Sequence, residues 1–517
     1  MKSWDVIVIG AGHNGLVNAC YLQRAGLDVL VVEKNDWIGG AAASRSLTPG
    51  FTYSNCSYVC SLFRPEIMRD LELPRHGLQV IAYEGGAVFT RDGDYLANYR
   101  DHDAHRREFA RFSVRDAEAY DRYSRDVTRQ CRFIQPLLMR TAPDPTSFRP
   151  RDLGELMYLG RKFASLGADE MARTLRFWTM SIADFLDEYF ETDVIKAYFA
   201  LSGIIGTALG PMSPGTAYIL LHHYMGEVDG SVGAWGFARG GMGAVSNALA
   251  SSFKASGGTI RTDAGVDRVI VRDGKAQGVV LTGGEEIRAK MVVSNADAAW
   301  TYQKLVAPEH RTTWTDAKLA KAKHSMSLFV WYFGTDRTYD DVAHHTILLG
   351  ERYKALLDDI FHKKILADDF SLYLHRPTAT DPSMAPAGHD TFYVLSPVPH
   401  LDSGTDWATE TEVYRRKVEA YLEATVLPGL SKHVTASLTL TPQGFLDDYL
   451  SVKGAAFSLE PQLMQSAYMR PHNASEDVDG LYLVGAGTHP GAGMPGVLSS
   501  ARVLDTVVPD PADLVAG

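Results

Sequence analysis

Two hydrophobic periods alternate along this chain. Residues 4–10, WDVIVIG, open on an unbroken apolar run from Val6 to Ile9, the pattern of a parallel strand buried on both faces. Gly10-Ala-Gly12-His-Asn-Gly15 follows and leads into a helical pattern carrying Leu16, Val17, Ala19, Cys20, Leu22 and Ala25, with Gly26 as its stop. Residues 28–33, DVLVVE, predict a second strand that ends in an acid. Residues 80–99 predict short strands with turns at Gly85-Gly86 and Asp92-Gly93, and 102–200 predict mostly helix. An apolar, small-residue segment at 201–221 is broken by Gly210-Pro211 and Pro214-Gly215. From 257 to 297 the period returns to two. Strands are predicted at 259–262, 266–272, 277–282 and 287–294, with hairpin turns at Asp273-Gly274 and Gly283-Gly284. Residues 325–333 and 391–398 predict later strands. Residues 481–484 predict a buried strand running into a loop with five glycines and two prolines, and then a helix from near Val497. No internal repeat interrupts this order, and residues 509–517 are expected to fray.

The N-terminal strand, glycine turn, helix, strand and acid form a dinucleotide-binding unit. Gly10 permits the tight turn, Gly12 lets the backbone approach a pyrophosphate, and Gly15 lets helix and strand pack closely. The helix N-terminus offers free N–H groups and a positive dipole end to the phosphates. Glu33 stands where a carboxylate accepts hydrogen bonds from ribose hydroxyls. A second glycine pair, Gly39-Gly40, comes just past the acid. It resembles the pair found in FAD oxidoreductases of the amine-oxidase and carotenoid-desaturase type, and NAD domains usually lack it. At the other end of the chain, the glycine- and proline-rich loop at 485–496 also argues for close backbone approach to a ligand. A helix N-terminus there suits an anionic flavin ring edge. Residues 239–245, RGGMGAV, offer another return point. The layout is that of a split nucleotide fold that the chain leaves and re-enters.

Composition narrows the class. Hydrophobic residues make up 45% and charged residues 22%, ordinary globular values that exclude a disordered or coiled-coil chain. At roughly 150 residues per domain, 517 residues allow three or four domains or two large interleaved ones. The net charge of −11 argues against a nucleic-acid partner. The window 100–162 departs from it, with fourteen Lys and Arg against ten Asp and Glu, and an aromatic stretch from Phe177 to Phe199 follows. This segment is open to two readings: solvated helix faces around an ordinary aromatic core, or a helical cap that touches a membrane surface and takes up an apolar substrate. Four cysteines without a C-x-x-C pair, and a first strand too early for a signal peptide, predict a reduced, cytoplasmic protein. No transmembrane helix is expected. His222-His223 and His344-His345 are read as strand residues pointing to opposite faces, so no metal site is assigned. His489 is read first as structural, and no catalytic base is named.

Longer strings identify a family. VVSNAD at 292–297, SLFVWYFGT at 327–335, FSLYLHRP at 370–377, APAGHDTFYVLSPVPHL at 385–401, FSLEPQLMQSAYMRPHN at 457–473 and LYLVGAGTHPGAGMPGV at 481–497 resemble the carotenoid phytoene desaturases. GHNGLV at 12–17, DEYFETDVIKA at 187–197 and residues 213–249 look more like pyridine-nucleotide-disulfide-oxidoreductase-domain flavoproteins and carotenoid ketolases. The resemblance implies an α/β fold with a split Rossmann-like FAD domain (1–80, 235–310 and 475–517). It further implies a β-sheet substrate domain (81–101 and 311–474) and a helical, membrane-associated cap (102–234). It carries over to Gly10, Gly12, Gly15, Glu33, Gly39 and Gly40 as cofactor contacts, to Val266 at the adenine, and to Gly241, Gly485, Gly487, Met494, Pro495 and Val497 near the flavin. The reaction so implied is FAD-dependent desaturation of an apolar isoprenoid such as phytoene. The alternatives are the same fold with another reaction (ketolase, saturase, isomerase or amine-type oxidase) and a binding module without catalysis. The chain has no second strand–GxGxxG–helix unit and no redox cysteine pair beside the first, so the expected electron acceptor is a quinone or oxygen.

Overall fold

The computed structural model describes residues 3–514, apart from 61–62, 83–85, 91–92, 204–205, 207–208, 229–230, 233, 351–352, 369–370, 492–493, 505, 511 and 513. The expected turn residues Gly85 and Asp92 lie outside the described residues. Two seven-stranded sheets organise the rest.

In the first sheet, strand Ser3–Ile9 lies between Val29–Val32 and Glu286–Ser294, all three parallel, and Thr259–Arg261 continues the sheet beyond Val29–Val32. Val6 and Val8 pack into one apolar cluster, with helix His13–Arg24 and helix Gly243–Ala255. Ile7 and Ile9 pack into another, with the antiparallel strands behind the sheet. Both faces are therefore buried, which is why the sequence run is continuous rather than alternating. The outer edge of Glu286–Ser294 is shared. Its first residues pair with Lys275–Leu281, and its last three pair in parallel with Leu481–Leu483. Asp273 and Gly274 both take positive φ (50° and 75°), the two-residue turn that matches the twist of its flanking strands.

The second sheet runs in the order Val434–Leu440, Ser327–Thr335, Asp390–Val398, Leu372–His375, His345–Leu348, Gly86–Phe89, Tyr95–Asn98. Period two sorts its residues. Phe329, Trp331 and Phe333 pack under helix Trp407–Thr425, against Trp407, Tyr414, Val418 and Leu422. Leu328, Val330 and Tyr332 face the opposite way, into a cluster shared with the helices of 102–201. Those helices are His102–Phe112, Val114–Leu138, Pro150–Ala164, Ala168–Thr179, Ile182–Asp187 and Asp193–Leu201.

Several expected boundaries shift by one to three residues. The strand expected at 325–333 is Ser327–Thr335, and the helix expected near Val497 begins at Met494. His222 and His223 end a 3-10 turn, Ala217–His223, rather than standing on a strand, so the opposite-face argument does not apply to them. Asp116, with no exposed surface, ties helix Val114–Leu138 to the start of helix Asp193–Leu201 by accepting hydrogen bonds from the N–H groups of Glu191 (2.8 Å) and Thr192 (2.9 Å). Asp116→Ala strands both donors. It is expected to lower stability by about 1.5–3 kcal/mol, read as an earlier midpoint in urea unfolding. An unchanged midpoint contradicts this role.

Candidate functional site

Four parallel strands of the first sheet end on one edge, and each delivers a residue there: Gly10, Glu33, Asn295 and Gly485. The residues are stitched through the backbone. Gly10 donates its N–H to the Val32 carbonyl at 2.7 Å. A Cβ on Gly15 would stand 2.3 Å from the Gly10 carbonyl oxygen, so any side chain there pushes helix and strand apart. The second glycine pair closes on the first. Gly39 donates to the Ala11 carbonyl at 2.8 Å and forms an isolated bridge with Gly12. A Cβ on Gly12 would meet Asn295 Nδ2 at 2.8 Å. Helix His13–Arg24 starts at Gly12 with no side-chain cap and no acid in its first turn, which leaves its N–H groups for an anion.

Glu33 is buried and holds the turn as well as facing the cavity. One carboxylate oxygen accepts from Ala11 N–H at 2.8 Å and the other from Asn35 N–H at 3.0 Å. Burial raises its carboxyl above the usual value, against these bonds, which lower it.

A cavity of about 380 Å³ extends from this edge. Gly10, Gly12, Glu33, Gly40, Val266, Gly485 and Gly487 line it. Gly15 and Gly39 sit behind the lining, in the backbone contacts just described. Gly241 is not brought to the cavity: a Cβ there would meet Ser44 Oγ at 2.4 Å, so this glycine packs under a hairpin. The backbone of Met494, Pro495 and Val497 opens the last helix, and their side chains lie outside the described residues. Away from the glycines, Met326, Leu328, Tyr373, Leu395 and Phe457 add apolar side chains to the cavity wall. Tyr58 lines it too and stacks on His375 at 3.8 Å between ring centroids.

The matches with known proteins cover almost the whole chain. The model of the flavin containing amine oxidoreductases matches residues 15–503. A phytoene desaturase (neurosporene-forming) of Rhodobacter capsulatus is 40% identical over 98% of this chain and 94% of its own length. A pyridine nucleotide-disulfide oxidoreductase domain-containing protein 2 of Mus musculus is 34% identical over 95% of this chain and 91% of its own. The chain belongs to the flavin containing amine oxidoreductases, in the phytoene desaturase family. Both similarities run nearly end to end. A solved putrescine oxidase variant shares the fold, with a TM-score of 0.63, 14% identity, and coverage of 100% of this chain and 99% of that one.

The cofactor of this flavoprotein is FAD, and the site's own features fit it. The Gly12 position is tight against the Asn295 amide, the helix N-terminus is uncapped, and a buried carboxylate stands at the end of the second strand. The sequence reading missed Asn295. Its side chain touches the turn at Gly10, Gly12 and Gly15, and it also lies 3.4 Å from where a Cβ on Gly485 would stand. Only the string VVSNAD marked it in the sequence. Among the described residues no cluster of His, Cys, Asp and Glu suits a metal, and His345 is hydrogen-bonded to His375 at 3.0 Å. His489 is pushed down to about 4 by burial and bonds the Arg140 carbonyl at 2.9 Å, tying the loop to the cap.

Two outcomes follow from this geometry. Gly12→Val is expected to yield protein without flavin colour. Full FAD content in that variant would show that the cofactor is not held here. For Glu33, the raised carboxyl means that the native chain binds the proton more tightly than the unfolded chain. The FAD-free protein therefore gains stability from Glu33 as pH falls through the raised value. FAD held by the ionised carboxylate weakens over the same interval. As pH is lowered through the raised value, FAD affinity is expected to fall in the wild type, whereas Glu33→Gln is weaker and flat. A parallel fall in both proteins contradicts the assignment.

Proposed function

We propose that this chain is an FAD-dependent desaturase that removes two hydrogens from adjacent carbons of an apolar isoprenoid such as phytoene. The observation that carries the reading is the continuity of the cavity. Its glycines suit a nucleotide, and away from them Met326, Leu328, Tyr373, Leu395 and Phe457 add apolar side chains to its wall. Full-length kinship with phytoene desaturases supports the same reading. Gly10, Gly12, Gly15, Glu33, Gly39, Gly40, Val266, Gly485 and Gly487 would hold FAD, with Met494, Pro495 and Val497 beside the ring. In this reading residues 1–80, 235–310 and 475–517 bind the cofactor, 81–101 and 311–474 the substrate, and 102–234 form the cap. Bound FAD supplies the two-electron acceptor for a C–H bond of the substrate. The chain's own part is to align an extended hydrocarbon along these apolar side chains and keep water from it.

The substrate resides in lipid, so the reading includes a membrane surface reached from the cytoplasm. No helix among the described residues is long and apolar enough to cross a bilayer. A peripheral contact is proposed instead, through the cap's outer edge. Phe148 is 89% exposed, Leu153 and Met157 after it and Leu175 on the next helix are exposed, and Arg149, Arg151, Arg161 and Lys162 are interleaved. Met464 and Met469, on two short turns further along the chain, are exposed as well. Anionic lipid attracts such cations, and the apolar side chains enter the interface.

Expression in a phytoene-accumulating host tests the reaction: desaturated carotenoid is expected, and phytoene left unchanged by a flavin-loaded protein refutes it. Purified protein is expected to co-sediment with anionic vesicles less as salt rises. Absence from the pellet at every salt concentration removes the membrane contact. Re-oxidation of the reduced protein is expected with a quinone or oxygen. Turnover that strictly requires NADPH and ignores both overturns the desaturase reading.

A further inference from the structure

Arg470 is among the largest fully buried side chains of the protein, with 1% of its surface exposed. Its guanidinium makes no ion pair among the described residues. It is held by carbonyl oxygens instead: Nη2 donates to Ala486 at 2.9 Å and to Leu459, and Nη1 donates to Gln465 at 3.2 Å. Nε has no partner. Nη1 also lies 3.6 Å from where a Cβ on Gly491 would stand. One cation therefore touches both ends of the 486–491 loop, and Ala486 and Gly487 of that loop line the cavity. Burial lowers Arg470 to about 10, so it keeps its charge at neutral pH. Asp297, on the cavity wall, is the acid that bears on it, from beyond ion-pair distance.

Burying a charge without an ionic partner is strongly unfavourable. A cation kept in this place has a use when negative charge develops nearby. Hydride transfer brings two electrons and one proton from a substrate carbon to the flavin, while the neighbouring carbon loses its proton to solvent. One negative charge then rests on the isoalloxazine ring unless a second proton is taken up. We propose that Arg470 is a positioning residue for FAD reduction: it braces the 486–491 loop through its carbonyl bonds and stabilises the negative charge on the reduced ring by its own. A preorganised charge in a water-poor site acts strongly on developing charge. The inference rests on placing the flavin against this loop.

The test uses the full-length holoenzyme and the variants Arg470→Met and Arg470→Lys. Two readouts depend on charge rather than on bracing alone: the midpoint potential of the flavin, and its affinity for sulfite, whose addition also places negative charge on the ring. Arg470→Met is expected to lower the potential and weaken sulfite binding by about tenfold or more. Arg470→Lys, which keeps the charge but loses the fork, is expected to stay close to wild type on both and to lose FAD more readily. Potential and sulfite affinity unchanged in Arg470→Met overturn the proposal. If that variant holds no flavin, the wild type decides. Its reduction at mildly acidic pH is expected to take up one proton per two electrons, and two protons overturn the proposal. Misplacement of the flavin would show separately, as full FAD content in Gly12→Val.

Discussion

The whole site depends on backbone packed against backbone where the parallel strands end. Gly15 must let the helix reach the Gly10 carbonyl, and Gly39 must donate to Ala11, before any pocket exists between the strand ends. These contacts have no slack. At Gly15 the obstruction is a main-chain oxygen, which cannot rotate away as a side chain does. The fold therefore fixes the helix N-terminus, Glu33, Asn295 and Gly485 relative to one another, although Gly10 and Gly485 are separated by most of the chain. Brought together, they form one concave edge at the carboxyl ends of the strands, where open α/β sheets take their ligands.

The second sheet solves a different problem. Its two faces are both apolar but have different neighbours. One side is filled by Trp407, Tyr414, Val418 and Leu422 of a single helix and is sealed. The other, with Leu328, Tyr373 and Leu395, is shared between the helical cap and the cavity wall. The same period-two alternation that builds the core thus also supplies a long hydrocarbon surface leading away from the glycine edge. A nucleotide with a polar diphosphate and a wholly apolar substrate can then occupy one continuous space, each against matching surface.

Much of this was legible in the sequence because the signals are local. The continuous run Val6–Ile9, the glycine spacing, the terminal acid Glu33 and the Asp273-Gly274 turn each follow from chemistry within a few residues. What stayed hidden depends on distant packing. Asn295 looks like an ordinary strand-end polar residue until Gly12 is placed beside it. Gly241 sits in a motif that suggests a ligand, yet Ser44 and Ser54 occupy the space beside it. His222 and His223 fall in an apolar stretch whose 3-10 turn no alternation announces. Arg470 gave no sign of being buried, because a lone arginine in sequence is by default a surface residue.

In the proposed reaction one cavity joins a flavin to an apolar hydrocarbon, with no reductant between them. Its most direct measurement is anaerobic: flavin-loaded protein mixed with phytoene in vesicles, with no pyridine nucleotide present, while the flavin absorbance is followed. Bleaching of the oxidised flavin is expected, in step with one new double bond per flavin. Oxidised flavin that persists with phytoene at hand, and bleaches only when NADPH is added, would contradict it.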